Sequence, residues 1–229
     1  RLPLSHGRTL AAMATIRSSG IPLFRFKGIQ VLVHWSFFLL VAWVVFTAIR
    51  GGSDPMEAAF QVGLVLTVFA CVVLHEFGHA LTALHFGVRT RNIMLLPIGG
   101  VASLERMPEE PRQELLITLA GPAVNLALVL LLGIPFWLYV GSLGLPDPTA
   151  APPTLFTFVG FLIAANGVLF LFNLIPAFPM DGGRILRSLL SMRMDRVKAT
   201  RIATVVGRVL AVGFVLAALE TGNFMWGLI

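Results

Sequence analysis

The sequence predicts an all-α polytopic membrane protein of about six transmembrane helices, the sixth incomplete, with a small re-entrant β-hairpin near the cytoplasmic face. Three observations lead there. Hydrophobic residues fill 57% of the 229 positions and charged ones only 12%, with a mean hydropathy of +0.88. That is too apolar for an ordinary water-soluble domain. The apolar residues gather into runs of span length separated by short polar turns. One stretch between them, Asn92–Glu105, is apolar but interrupted by Pro97, Gly99 and Gly100, so it reads as a strand–glycine–strand hairpin. Non-helical backbone at membrane depth persists only where protein or a wet cavity covers it.

Residues 1–31 read as a cytoplasmic N-terminal segment. Its first part is basic, small and irregular, and Met13 is a candidate start that would leave residues 1–12 foreign. Phe24–Val31 alternates apolar with polar or small residues, the period of a half-buried juxtamembrane strand. It runs into a first span at Val33–Ile49, with His34 and Trp35 at the interface. No small-residue cleavage pattern follows, so the run is an anchor and not a signal peptide. A second span covers about Glu57 to Phe86 and is closed by Arg89 and Arg91. After the hairpin, Met107–Glu114 reads as a charged surface turn. Leu115–Val140 and Thr154–Ile175 give the third and fourth spans, on either side of a proline-rich loop. A basic stretch from Arg184 to Arg201 precedes a fifth span at Ile202–Leu219, and residues 220–229 read as the start of a sixth.

The net charge of +6 belongs to membrane orientation in this layout, not to nucleic acid. Arg25, Lys27, Arg89, Arg91 and the Arg184–Arg201 stretch fall on one side, whereas Arg50 occupies a loop on the other. The excess of basic residues places the crowded side, with the N-terminus, in the cytoplasm. A lone cysteine, Cys71, excludes a disulfide framework and a cysteine-rich zinc module, and on an apolar helix it reads as a small buried side chain.

Within this apolar frame stands Leu74-His75-Glu76-Phe77-Gly78-His79-Ala80, an H-E-x-x-H motif. Residues four apart share a helix face, so His75 and His79 can offer two imidazole nitrogens to one ion. Glu76 beside them can take a proton from water rather than ligate. An ionisable cluster ending a charge-free run is costly unless it functions. A catalytic zinc usually has three protein ligands, which leaves two candidates for the third. His85 lies six residues beyond His79, but on a continuous helix six residues rotate about 240°, away from the histidine face. Zincins with that spacing turn the chain at a glycine, where this sequence has Thr82. Asp181 is the stronger candidate. Pro176 and Pro179 break the fourth helix, Gly182 and Gly183 allow close backbone approach, and the carboxylate falls at matching depth. Pairing with Arg184 is its plainer alternative. Asn125, on the third span, can serve as an oxyanion donor or as an interhelical hydrogen bond.

The H-E-x-x-H motif on a second span, a glycine-interrupted hairpin, Gly121-Pro122-x-x-Asn125, and Asn173-x-x-Pro176-x-x-Pro179-x-Asp181-Gly182 together resemble the site-two protease family of intramembrane metalloproteases. The resemblance covers about Lys27 to Leu219. It implies one zinc per chain bound by His75, His79 and Asp181, with Glu76 as catalytic acid and base. Residues 32–219 would form the transmembrane protease domain, its catalytic core at about 57–183. Substrates would be membrane-spanning proteins cleaved within or near their transmembrane segment, often in regulated proteolysis. Short members of the family often continue into a cytoplasmic nucleotide-sensing pair of CBS motifs, so the reading expects a chain shortened at Ile229. The rival function is a metal-binding transporter without hydrolysis, which gives Glu76 no task and often shows an internal repeat. Substrate identity and oligomeric state stay open.

A helical substrate must unwind before it can be cleaved, and unpaired amides in hydrocarbon cost several kcal/mol each. The hairpin at Asn92–Glu105 offers a strand edge on which an unwound substrate can recover its hydrogen bonds.

Overall fold

The computed structural model describes residues 20–106, 108–143 and 155–221. The expectations for the segment before Gly20, most of the proline-rich loop and the sixth span lie outside these residues. Two strands open the fold, β1 (Gly20–Phe26) and β2 (Ile29–His34). They are antiparallel and joined by Lys27-Gly28, both with positive φ (46° and 85°). Such a two-residue turn matches the twist of a hairpin. The single strand expected over Phe24–Val31 is therefore a hairpin, because Gly28 reverses the chain inside an alternation that continues on both sides.

Helix α1 (Ser36–Arg50) and helix α2 (Pro55–His85) follow. The expected first span at Val33 starts later, since Val33 pairs with Ile21 on one side and Leu95 on the other. With 15 residues, α1 is about 22 Å long against a hydrocarbon core of about 30 Å. The start of α2 is fixed by sequence. Asp54 Oδ1 accepts from the Met56 and Glu57 backbone N–H groups at 2.8 Å, and Glu57 accepts from the Asp54 N–H at 3.2 Å, a capping box with Pro55 at the first helical position.

Strands β3 (Thr90–Leu96) and β4 (Gly99–Leu104) complete a four-stranded sheet of order β1-β2-β3-β4. β2 and β3 pair in parallel, which requires a long crossover. The α1–α2 pair is that crossover, returning the chain to the side it left. Ile29, Val31 and Val33 of β2 and Ile93 and Leu95 of β3 pack on Phe37, Val73, Phe77 and Ala80. The sheet thus lies against one face of α2.

Helices α3 (Pro111–Leu143), α4 (Leu155–Asn173), α5 (Asp181–Ser191) and α6 (Arg196–Thr221) follow. Among the described residues four helices, α2, α3, α4 and α6, are long and apolar enough to cross a membrane. The expected all-α chain of about six spans is corrected, over the described residues, to a mostly helical one with four such helices, a shorter apolar α1 and a small sheet. The expected surface turn at Met107–Glu114 is also corrected. α3 begins at Pro111, and Glu114 is 2% exposed. Its carboxylate accepts from Arg187, and from Arg196 at 3.1 Å, which ties α3 to α5 and α6.

Candidate metal centre

Along α2, Phe77 stands between the two histidines and about 200° of helical rotation from each. Its burial under the sheet sends His75 and His79 to the opposite face, against α3. Closeness there depends on glycine. A Cβ at Gly78 would lie 2.6 Å from the Ala120 carbonyl oxygen, and one at Gly121 would overlap Nε2 of both histidines. Nothing larger than glycine fits at either place.

Asp181 arrives from the far side. α4 ends at Asn173, and the chain passes through Pro176 and Pro179 before α5 begins. Close approach at the following glycines is present as expected. A Cβ at Gly182 would strike the Leu174 and Ile175 carbonyls, and one at Gly183 would lie 2.7 Å from the Ala177 backbone. Asp181 is therefore seated at the first turn of α5 by a loop folded tightly under it.

Three buried donor atoms meet at this point. His75 Nε2 and His79 Nε2 are 3.0 Å apart, and Asp181 Oδ2 is 3.2 Å from the first and 3.1 Å from the second. Among the described residues this is the group of His, Cys, Asp or Glu donors arranged to hold a metal ion. Zinc bonds of about 2.0–2.2 Å in tetrahedral geometry space their ligand atoms at about 3.3 Å, so the near-equilateral triangle fits such an ion. Arg184 Nη1 lies 3.8 Å from the other Asp181 oxygen, Oδ1. The Arg184 contact and the histidine contact thus coexist on different oxygens.

Both imidazoles are held from behind. His79 Nδ1 lies 2.7 Å from the Ile117 carbonyl oxygen, and His75 Nδ1 lies 2.5 Å from Asn125 Oδ1. Those partners direct each Nε2 towards the centre, as outer partners of metal-binding histidines commonly do. Asn125 Nδ2 donates to Asn166 Oδ1 at 3.1 Å. Glu76 is half-buried, and a Cβ on Gly100 of β4 would lie 2.7 Å from its Cγ. His85 is exposed at the last residue of α2, its ring against Phe86. Sequence reading missed Asn166, Glu114 and Arg187. An amide in the middle of the apolar run of α4 was the available signal for Asn166, since polar side chains inside such helices usually bond across to a neighbour.

Known proteins share this architecture. The model of peptidase family M50 matches residues 63–144 and 140–217. A zinc metalloprotease of Methanocaldococcus jannaschii is 38% identical over 206 residues, covering 90% of this chain and 56% of the relative. The protein Rip3 of Mycobacterium tuberculosis is 34% identical over 215 residues, covering 90% and 52%. This chain thus spans about half the length of the curated relatives it matches. A solved structure, the site-2 protease from Methanocaldococcus jannaschii, superposes with a TM-score of 0.59 at 36% identity, covering 91% of this chain and 89% of that one. With the donor triangle and the β3–β4 hairpin inside the matched residues, this integral membrane chain belongs to peptidase family M50.

Proposed function

We propose that the protein is an intramembrane zinc metalloprotease that hydrolyses peptide bonds within or near the transmembrane segment of membrane-spanning proteins. The observation that carries the reading is the triangle of His75 Nε2, His79 Nε2 and Asp181 Oδ2, buried between helices of membrane length. His75, His79 and Asp181 would hold one zinc ion. Zinc in such a site lowers the pKa of a water towards about 7 and polarises the scissile carbonyl. Glu76 accepts the water proton and returns it to the leaving amine. Asn125 is assigned to holding His75 in place of the oxyanion role, because its Oδ1 faces His75 Nδ1 and its Nδ2 faces Asn166.

The substrate would enter extended. β4 is an edge strand of the sheet, and its Gly100 lies against Glu76. A strand added to that edge would run past the acid–base residue with its amides paired. The basic residues support an orientation with the N-terminus and active-site side cytoplasmic, and the lipid bilayer surrounds the rest. Metal transport without hydrolysis is not favoured, since the family is one of peptidases. The test is cleavage of a panel of single-span proteins in liposomes by the wild type and by Glu76→Gln, with zinc content measured in both. Cleavage that stops in the variant while zinc stays supports the reading. Equal cleavage by both overturns it.

A further inference from the structure

The two candidate histidine ligands are held from behind by different means, and the difference assigns a task to a residue two helices away. A neutral imidazole carries one N–H and one lone pair, so ligation through Nε2 requires the proton on Nδ1. For His79 the matter is settled by main chain. Nδ1 faces the Ile117 carbonyl oxygen at 2.7 Å, which can only accept. For His75 the partner is a carboxamide, and a carboxamide has two faces. Turned one way, Asn125 offers Oδ1 and selects Nδ1–H. Turned the other way, it offers N–H groups and selects the opposite tautomer, whose Nε2 cannot ligate.

We infer that Asn166, acting through Asn125 and resting on the zinc reading above, is a positioning residue that decides which nitrogen of His75 carries the proton. Asn125 and Asn166 are both 0% exposed, so no bulk water competes for their amides. Asn166 Nδ2 donates to the Leu162 carbonyl oxygen at 2.9 Å and lies 3.4 Å from Cys71 Sγ. The Leu162 carbonyl cannot donate, so it holds the Asn166 amide with Oδ1 facing away from it. That oxygen accepts from Asn125 Nδ2 at 3.1 Å, which leaves Asn125 Oδ1 for His75 Nδ1 at 2.5 Å. Every donor in the series points towards Leu162. Reversing either amide sets donor against donor or acceptor against acceptor in a dry interior, where an unmade hydrogen bond is expensive.

The test measures zinc affinity of the full chain in nanodiscs by chelator competition, together with the imidazole ¹⁵N spectrum of the metal-free protein at alkaline pH with Asp181→Ala added, so that no carboxylate faces His75 Nε2. Wild type and Asp181→Ala are run first. If they hold zinc equally, the zinc reading itself fails, whatever residue 166 does. Asn166→Leu is expected to weaken zinc roughly 10- to 100-fold, the usual effect of losing an outer partner, and to move His75 towards Nε2–H. Asn125→Asp presents acceptors only and cannot be turned the wrong way. Adding it to Asn166→Leu is expected to restore Nδ1–H and return affinity to within a few-fold of Asn125→Asp alone, by the same outer-partner logic. Unchanged affinity and tautomer in Asn166→Leu would overturn the inference. So would a loss that Asn125→Asp leaves uncorrected, because residue 166 would then serve packing alone. If Asn166→Leu does not fold, Asn166→Ala carries the same expectations.

Discussion

Asp181 Oδ2 stands 3.1 Å from His79 Nε2, although 102 residues separate them in the chain. A carboxylate brought that close to two imidazoles would complete the proposed ligand set, which α2 alone cannot supply. Purified protein should carry about one zinc per chain and Asp181→Ala almost none, since loss of a ligand from a three-residue site leaves too few donors. His85→Ala should keep its zinc. Elemental analysis of the three proteins decides, and zinc retained in Asp181→Ala but lost in His85→Ala would reverse the assignment.

Glu76 is outside the donor triangle and beside it, so its removal should separate binding from chemistry. Glu76→Gln should retain zinc while cleavage falls by roughly 10²- to 10⁴-fold, the typical contribution of a positioned acid–base group. Single-turnover cleavage in liposomes measures it.

Gly121 has no room for a side chain, because its hydrogen faces Nε2 of both histidines. Gly121→Ala should push α3 away from α2, abolishing zinc binding and destabilising the fold by about 1–3 kcal/mol, as overpacking does. Zinc content and a thermal melt of the same preparation check both effects.

Glu114 should matter for stability without touching chemistry. It is buried at 2% exposure between Arg187 and Arg196, and removing one member of a buried ion pair costs about 3–5 kcal/mol. Glu114→Ala should lower the unfolding midpoint sharply. A melt within a degree or two of wild type would show that the pairing adds nothing.

Substrate addition to β4 predicts a positional pattern. Proline lacks a backbone N–H, so it is tolerated on an edge strand only where that group points away from the sheet. Scanned through Val101, Ala102 and Ser103, proline should preserve the fold and zinc at outward-facing positions while impairing cleavage there. Proline within Ile93–Leu96 would break the sheet instead, since β3 has neighbours on both sides. Full cleavage by a folded outward-facing variant would remove β4 from substrate binding.

Much of the site was legible because its chemistry is local. His75, Glu76 and His79 share one helix turn, whereas the Asp54–Glu57 capping box that starts the helix went unread in an expected start at Glu57. Asp181 could be expected because two prolines and two glycines mark a chain that must break and pack closely. Less legible were features set by partners far away in sequence. Parallel pairing of β2 with β3 depends on where α1 and α2 return the chain, and nothing in Ile29–His34 encodes it. Glu114 has the composition of a surface turn and becomes buried only because Arg187 and Arg196 reach it from α5 and α6. Asn166 was illegible because the side chain that uses its oxygen, Asn125, lies on α3.

The distance in sequence between His79 and Asp181 also sets an order in time. Ribosomes add about 5–20 residues per second, so Asp181 leaves the exit tunnel some 5–20 s after His79. During that interval α2 and α3 can already lie in the bilayer with two imidazoles and a glutamate in place, yet the third proposed ligand has not emerged. The nascent chain therefore passes its neighbours in the insertion machinery with the proposed zinc site incomplete. On the proposed reading, the donor triangle closes only when α5 folds, close to the end of synthesis of the described residues.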